Sequence, residues 1–526
     1  MLKAELAITN GILVDGTGKP RFRANVAIDQ GRIVSIGEFA HVGAERIVDA
    51  ESFTVAPGWV DIHTHAEHTL LGNPSGDSFI RQGTTTAVFG NCGMSPAPVS
   101  DEFRRELGEQ FEPPTTVSWG DYGEFLRLLQ KKGLGLNVVP LVGHGALRIA
   151  VMGFDKREPS SKEMDEMKAI LDDCMKEGVA GMSSGLGYAP GIYSKTDELV
   201  ELCTVVARHG GIYASHTRGN RNDYASYTAA VKEAIHIGET AQLPVQVSHM
   251  CIPEAIRPIE EAGKRGLDVT FDMYPYTAAG GSISIAIPEW TRAGGGLKSL
   301  LDRIKERETR ERIKREFEVG PRPSWSNLLI AYLESEKIRH YQGKTVQQVA
   351  NMLGKHPVDA ACDMLLETEG QTRSFRLDAF AEEEVRAAYV HPAMMVGSDG
   401  HPVATREPYT RGLVHPRNYG TYPRVLSKYV RDLELLSLEN AIQRMTSLPA
   451  KKVGLNGRGI LKPGHWADIV IFDPNTIQDM ATFGSPHQYP IGIEYVLVNG
   501  QFVVEQGRET GILPGKVLLK SALAVM

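Results

Sequence analysis

The chain has 526 residues, 42% of them hydrophobic and 23% charged, which excludes a disulfide-stapled miniprotein, a disordered chain and a fibrous repeat. Lysine and arginine number 57 against 64 aspartate and glutamate, a net charge of -7, so there is no electrostatic case for a nucleic-acid partner. No apolar run has membrane-spanning length and the start, MLKAELAITNGILVDG, lacks the pattern of a secretory signal, so the expectation is a cytoplasmic protein with no membrane partner. The five cysteines (Cys92, Cys174, Cys203, Cys251, Cys362) are odd in number and scattered, which fits reduced thiols better than a disulfide framework.

The first fifty or so residues alternate short apolar runs with turn signals, and Asn10-Gly11 and Gln30-Gly31 suit tight hairpins. The far end reads the same way, with ADIVIFDP at 467 to 474 and YVLVNGQFVVEQG at 495 to 507, turning at Asn499-Gly500. Residues 1–56 and 457–526 are therefore expected to share one β-sandwich domain. Between them the period changes. Eight short β-branched runs, 55 to 65, 84 to 93, 137 to 145, 178 to 185, 211 to 219, 244 to 250, 268 to 276 and 393 to 400, alternate with helical stretches such as 161 to 178, 197 to 210 and 224 to 241. This α/β alternation predicts a (β/α)8 barrel over 57–456. One long interruption separates strands seven and eight, with an insertion at 277–355 expected to form a lid or substrate-binding segment. It contains a charged run, 301 to 318, that reads as one solvated helix.

The reactive side chains fall at the carboxyl ends of those strands: His63 and His65 after the first, Cys92 after the second, His216 after the fifth, His249 after the sixth and Asp399 after the eighth. In a (β/α)8 barrel that rim builds the active site, so six residues far apart in sequence converge on one cavity. Any single histidine is more often a satisfied core or surface residue, and His68, His209, His236 and His465 are read that way; the set of six is different. Cys92, His216 and His249 supply one thiolate and two imidazoles, the donor set of a catalytic zinc with an open fourth position. His63 and His65, two apart on a strand, point to one face and either form a second, weaker metal site or finish the shell of the first. Asp399 precedes a glycine, a common turn pair, yet its place beside the metal suits a general base that passes a proton to a leaving amine. Amide hydrolysis follows.

VDIHTH at 60 to 65, VGSDG at 396 to 400 and the terminal ILKPGHWADIVIFDP resemble the amidohydrolase superfamily, whose barrel is flanked by a small β-sandwich built from both termini. GNCGMSPAP around Cys92, GMSSGLGYAPGIY, SHTRG, DMYPYTAAGGS and HPRNYGTYPRVL are similar to the N-acyl-D-amino-acid deacylases, over nearly the whole chain. That resemblance implies one tight Zn2+ on Cys92, His216 and His249, a weaker second position at His63 and His65, and Asp399 as catalytic acid and base. It also implies a small-molecule N-acyl-D-amino acid substrate whose carboxylate is held by Arg417, with Tyr276 and Ser282 nearby. The D preference rests on the resemblance alone. In that family a basic residue often follows the strand-six histidine, whereas Met250 and Cys251 stand here, which favours neutral or hydrophobic side chains.

The rival readings are a cyclic amidase or deaminase on the same barrel, a cysteine-nucleophile hydrolase using Cys92, and a non-catalytic barrel scaffold. Cys92, and strand four ending MSSG with no lysine, argue against the cyclic amidase; the complete six-residue set argues against the scaffold. Nothing in the sequence specifies an oligomeric state.

Overall fold

A computed structural model describes residues 2–38, 42–219, 223–292, 296–319 and 324–520. The chain is mixed α/β. Its inner strands are β1 (Trp59–Asp61), β2 (Thr84–Phe89), β3 (Asn137–Pro140), β4 (Gly181–Gly185), β5 (Ile212–His216), β6 (Val245–Val247), β7 (Val269–Met273) and β8 (Met394–Val396). β1, β2 and β3 pair in parallel in that order, as do β4 to β8.

The two runs meet at both ends. Val142 and Gly143, just past β3, pair with Met182 and Ser183 of β4. Beyond β1 and β8, Thr64 and Gly400 form a parallel bridge, and Asp399 N–H donates to the His63 carbonyl at 2.8 Å. Each strand thus has a parallel neighbour on both sides, and burial on both faces explains β-branched sequences such as TTTAVF in β2, every residue of which is buried. The connecting helices carry their own start signals. Ser160 and Glu163 form a capping box at the head of Ser161–Lys176, and the Asp223 carboxylate accepts from Ser226 N–H at the head of Tyr224–Ala241.

Both ends of the chain contribute to one nine-stranded sheet. Thr54–Pro57 lies between Leu2–Leu13, parallel to it, and Ile469–Phe472, antiparallel. The expected turns at Gln30-Gly31 and Asn499-Gly500 are present, each residue having a positive φ, 49° and 73° and then 50° and 81°. Asn10-Gly11 is different: Leu2–Leu13 is one strand with a register shift between Ile8 and Gly11. A local turn signal yields there to packing, since a β-carbon at Gly11 would lie 2.6 Å from Val55 Cγ2.

Between β7 and β8 a separate three-stranded antiparallel sheet is built from Ala279–Gly281, Thr372–Arg376 and Leu328–Leu333, in that order. It has its own core, which includes Ile283, Leu300, Ile330, Val349 and Leu365. The charged run expected as one helix is two, Gly296–Arg303 and Arg307–Val319. The break comes where Ile304 turns inward to that core and its carbonyl accepts from Arg310 Nε at 2.7 Å.

Candidate metal centre

The carboxyl ends of β1, β2, β5, β6 and β8 bring all six expected residues together. Cys92 Sγ lies 3.3 Å from His63 Nε2 and 3.7 Å from both His216 Nδ1 and His249 Nε2, and those two imidazole nitrogens are 2.9 Å apart. Asp399 Oδ1 lies 3.2 Å from His65 Nε2 and 3.6 Å from His63 Nε2. Two overlapping sets of donors result, Cys92 with His216 and His249, and Cys92 with His63, His65 and Asp399, each having its ligand atoms within 4.8 Å of one another.

The backbone is held in an unusual state to achieve this. Cys92, His249 and Asp399 all have positive φ, at 55°, 34° and 50°, a region that residues other than glycine rarely enter. Three site residues therefore carry strain that the surrounding parallel strands enforce. The adjacent Gly93 permits close approach: a β-carbon there would lie 2.5 Å from the Gly185 nitrogen.

The donor chemistry fits zinc. Burial would raise the Cys92 thiol, but the imidazoles of His63, His216 and His249 outweigh it and hold the group well below the ordinary thiol range, giving the thiolate that zinc binds. His63 is fixed from behind, its Nδ1 being 3.0 Å from Asp272 Oδ1, so that Nε2 faces Cys92.

The residues 335–504 match the model of the amidohydrolase family. A D-aminoacylase of Alcaligenes xylosoxydans xylosoxydans is 33% identical, the match covering 98% of this chain and 98% of the relative. An N-acyl-D-glutamate deacylase of the same organism is 35% identical over 99% of this chain and 97% of its own. The chain belongs to the N-acyl-D-amino-acid deacylase family of the amidohydrolases. The crystal structure of N-acyl-D-glutamate deacylase from Bordetella bronchiseptica, complexed with zinc and a phosphonate mimic of the tetrahedral intermediate, is 32% identical with a TM-score of 0.80, covering 98% of this chain and 100% of that one.

In this member of the deacylase family the three residues expected around a substrate carboxylate are placed differently from one another. Arg417 reaches the centre, its Nη1 pairing with Asp399 Oδ2 at 2.7 Å while its Nε is buried without a hydrogen-bond partner. Tyr276 is joined to that region through His415, whose ring meets it edge-on at 5.3 Å and whose Nδ1 accepts from Arg417 N–H. The Tyr276 hydroxyl is buried and unpartnered. The Ser282 hydroxyl is engaged elsewhere, 2.9 Å from Thr372 Oγ1 and accepting from Ser284 N–H.

Two cavities flank the donors of this deacylase-family site. One of about 240 Å³ opens beside Cys92, with Met94, Val99, Phe103, Leu107 and Ile149 in its wall together with Glu106 and Gln110. A second, of about 510 Å³, holds His68, Glu112, Arg373, His401, His415 and Arg417. Met94 lines both.

Sequence reasoning missed several residues of the site. Asp272 lies inside the DMYPYTAAGGS motif, but its role appears only when β7 is set beside β6 and β1. Tyr188, inside GMSSGLGYAPGIY, donates its hydroxyl to the Cys92 carbonyl at 2.6 Å. Arg373 comes from the inserted sheet and carries no signal in the sequence beyond its charge.

Proposed function

We propose that the protein hydrolyses N-acyl-D-amino acids to a carboxylate and a free D-amino acid, with Zn2+ held tightly by Cys92, His216 and His249 and a second, weaker position at His63 and His65. The observation that carries this reading is the convergence of one low-pKa thiol, four imidazoles and Asp399 from five strand ends, in a chain 33% identical over nearly its full length to a D-aminoacylase. Bound there, zinc would supply polarisation of the acyl carbonyl and a lower pKa for the attacking water.

The protein's own groups do the rest. Asp399 takes the proton of the attacking water and delivers it to the amide nitrogen as the C–N bond breaks, so one proton is moved and none is lost. Its carboxyl is suited to accepting that proton because it is ionised. Burial would raise its pKa, but Arg417 and the neighbouring His65, His63 and His249 outweigh burial and hold it well below the usual carboxylate range. Arg417, stacked 4.8 Å from the Tyr274 ring centroid, presents its guanidinium to the polar cavity, where a substrate carboxylate meets a planar fork. Tyr276 and Ser282 rank below Arg417 as substrate-binding residues, since the Tyr276 hydroxyl is buried behind His415 and that of Ser282 already has a partner in Thr372.

The architecture that goes with this reading is a closed (β/α)8 barrel over 57–456, flanked by a sandwich domain of residues 1–56 and 457–526. The end-to-end parallel pairing of β1 to β8 and the shared terminal sheet support it. The insertion beginning at 277 runs past residue 355, since Thr372–Arg376 is the central strand of its sheet, and Gly280 on that sheet borders Arg417.

Neutral or hydrophobic side chains are the preferred class. Met250 and Cys251, which follow His249, are buried and bring no basic side chain to that strand end, and the cavity beside Cys92 has Met94, Val99, Phe103, Leu107 and Ile149 in its wall. Turnover of N-acetyl-D-methionine and N-acetyl-D-phenylalanine is compared with that of N-acetyl-D-glutamate. Faster turnover of the first two is expected; a faster glutamate substrate would refute the side-chain preference, and no hydrolysis of any would refute the deacylase reading.

A further inference from the structure

Beside the catalytic donors lies a second cluster that shares His65 with them and adds two residues the proposed reaction does not use. The sequence HTHAEHTL continues past the His63 and His65 pair into Glu67 and His68, on a single turn of 3-10 helix over Ala66–His68. Glu67 is fully buried, and neither of its carboxylate oxygens has a hydrogen-bond partner. His65 Nδ1 and His68 Nδ1 are likewise buried and unpartnered. A carboxyl group buried with both oxygens unpaired is costly unless something compensates it.

The spacing indicates what that is. Glu67 Oε1 lies 3.7 Å from His65 Nδ1 and 3.8 Å from His68 Nε2. These distances exceed those of hydrogen bonds, which elsewhere in this protein join His144 to Glu198 at 2.7 Å and His209 to Asp172 at 2.8 Å. They match the 3.7 Å that separates Cys92 Sγ from His216 Nδ1 and from His249 Nε2 in the donor set described above. Two imidazoles and one carboxylate form a donor set used by zinc, with ~2 Å bonds to each.

We propose that His65 Nδ1, Glu67 and His68 Nε2 hold a divalent transition-metal ion, zinc by donor chemistry, at a position distinct from the set on Cys92, His216 and His249. His68, with His401, lines the polar cavity, so the ion has a route from solvent. His65 has two faces: Nε2 is directed to Asp399 at 3.2 Å and Nδ1 to Glu67. An imidazole that binds an ion through Nδ1 keeps Nε2 for its contact with Asp399. An ion at Glu67 therefore competes with the weaker His63 and His65 position for this one ring. The proposal is independent of which substrate the protein hydrolyses.

The test is an anomalous difference map at the zinc edge from crystals of the parent and of Glu67→Gln, both soaked in excess zinc, with zinc equivalents counted in solution by equilibrium dialysis. The expected result is a peak bonded to the Glu67 carboxylate and a separate peak at Cys92 in the parent. In Glu67→Gln only the Cys92 peak remains, that peak serving as the check that the variant is folded and the ion supply sufficient. By dialysis the same variant should bind fewer zinc equivalents than the parent, whereas Cys92→Ser should keep the equivalent that depends on Glu67. A parent map with density at Cys92 and none at Glu67, or a Glu67 peak undiminished in Glu67→Gln, would overturn the proposal.

Discussion

Asp272 Oδ1 lies 3.0 Å from His63 Nδ1 and 2.9 Å from the His249 backbone nitrogen, so one buried carboxylate at the end of β7 orients a ring from β1 and the loop after β6 together. Its other oxygen accepts from Gln246 Nε2 at 2.9 Å. Asp272→Asn keeps the shape but exchanges an acceptor for a donor, freeing the His63 ring to turn. Zinc affinity, measured by competition with a chromophoric chelator, is expected to fall by about 10- to 100-fold. Unchanged affinity would mean that the donors are fixed without this carboxylate.

Asp399→Asn addresses the proton transfers. With the fold and the Cys92 donor set retained, kcat is expected to fall by about 10²- to 10⁴-fold, the typical contribution of a positioned acid and base. Because the parent carboxyl is held well below its usual range, it stays ionised as pH falls through about 4, where an ordinary carboxylate takes up its proton. An acidic limb of kcat/KM in the parent that belongs to Asp399 must therefore lie below that range. A variant that keeps parental kcat would remove Asp399 from the chemistry.

Arg417→Lys tests the carboxylate clamp. A lysine retains the charge but loses the planar fork, so discrimination between an N-acyl-D-amino acid and its carboxamide, read as a ratio of kcat/KM values, is expected to shrink. The loss of one charge-assisted hydrogen bond corresponds to about 1.5–3 kcal/mol, or about 10- to 100-fold. A ratio equal to the parent's would place the carboxylate elsewhere, with Arg373 the next residue to vary.

The strands are legible in the sequence because most are short apolar runs that lead into a glycine or a reactive residue, and the candidate metal donors because they fall at those ends. The sequence could not reveal that Ser282 turns to Thr372, for that pairing depends on an antiparallel sheet whose strands are some 90 residues apart in the chain. Glu67 escapes notice for a related reason: next to two histidines it resembles any polar loop residue, and only its complete burial marks it out. Asn10-Gly11 misleads because the turn propensity of a dipeptide is local, whereas the neighbouring Val55 and the long pairing with Phe22–Asp29 are not.

Stability away from the centre rests in part on a buried ionic network. Glu198 accepts from Arg148 Nη1 at 2.6 Å and 2.7 Å and lies 2.7 Å from His144 Nε2, with the Arg148 side chain wholly inaccessible. Glu198→Gln leaves that guanidinium without its counter-charge and is expected to cost about 3–5 kcal/mol by denaturant unfolding at neutral pH. Burial would raise the Glu198 pKa, but His144 and Arg148 outweigh it and lower the folded value. Its contribution is therefore present above the unfolded value of about 4.3 and lost as pH falls through the folded one, so the gap between parent and variant should narrow below about pH 4. A gap independent of pH would show that charge is not the source.

Metal-dependent hydrolysis of the D enantiomer is the central claim, and one assay reaches it directly: release of amine from paired N-acetyl-D- and N-acetyl-L-methionine by the protein as purified, after dialysis against a zinc chelator, and after zinc is returned. Hydrolysis of the D substrate, its loss on chelation and its recovery with zinc, with the L substrate left intact throughout, is the predicted result. Equal cleavage of both enantiomers, or undiminished cleavage in the chelator, would contradict it.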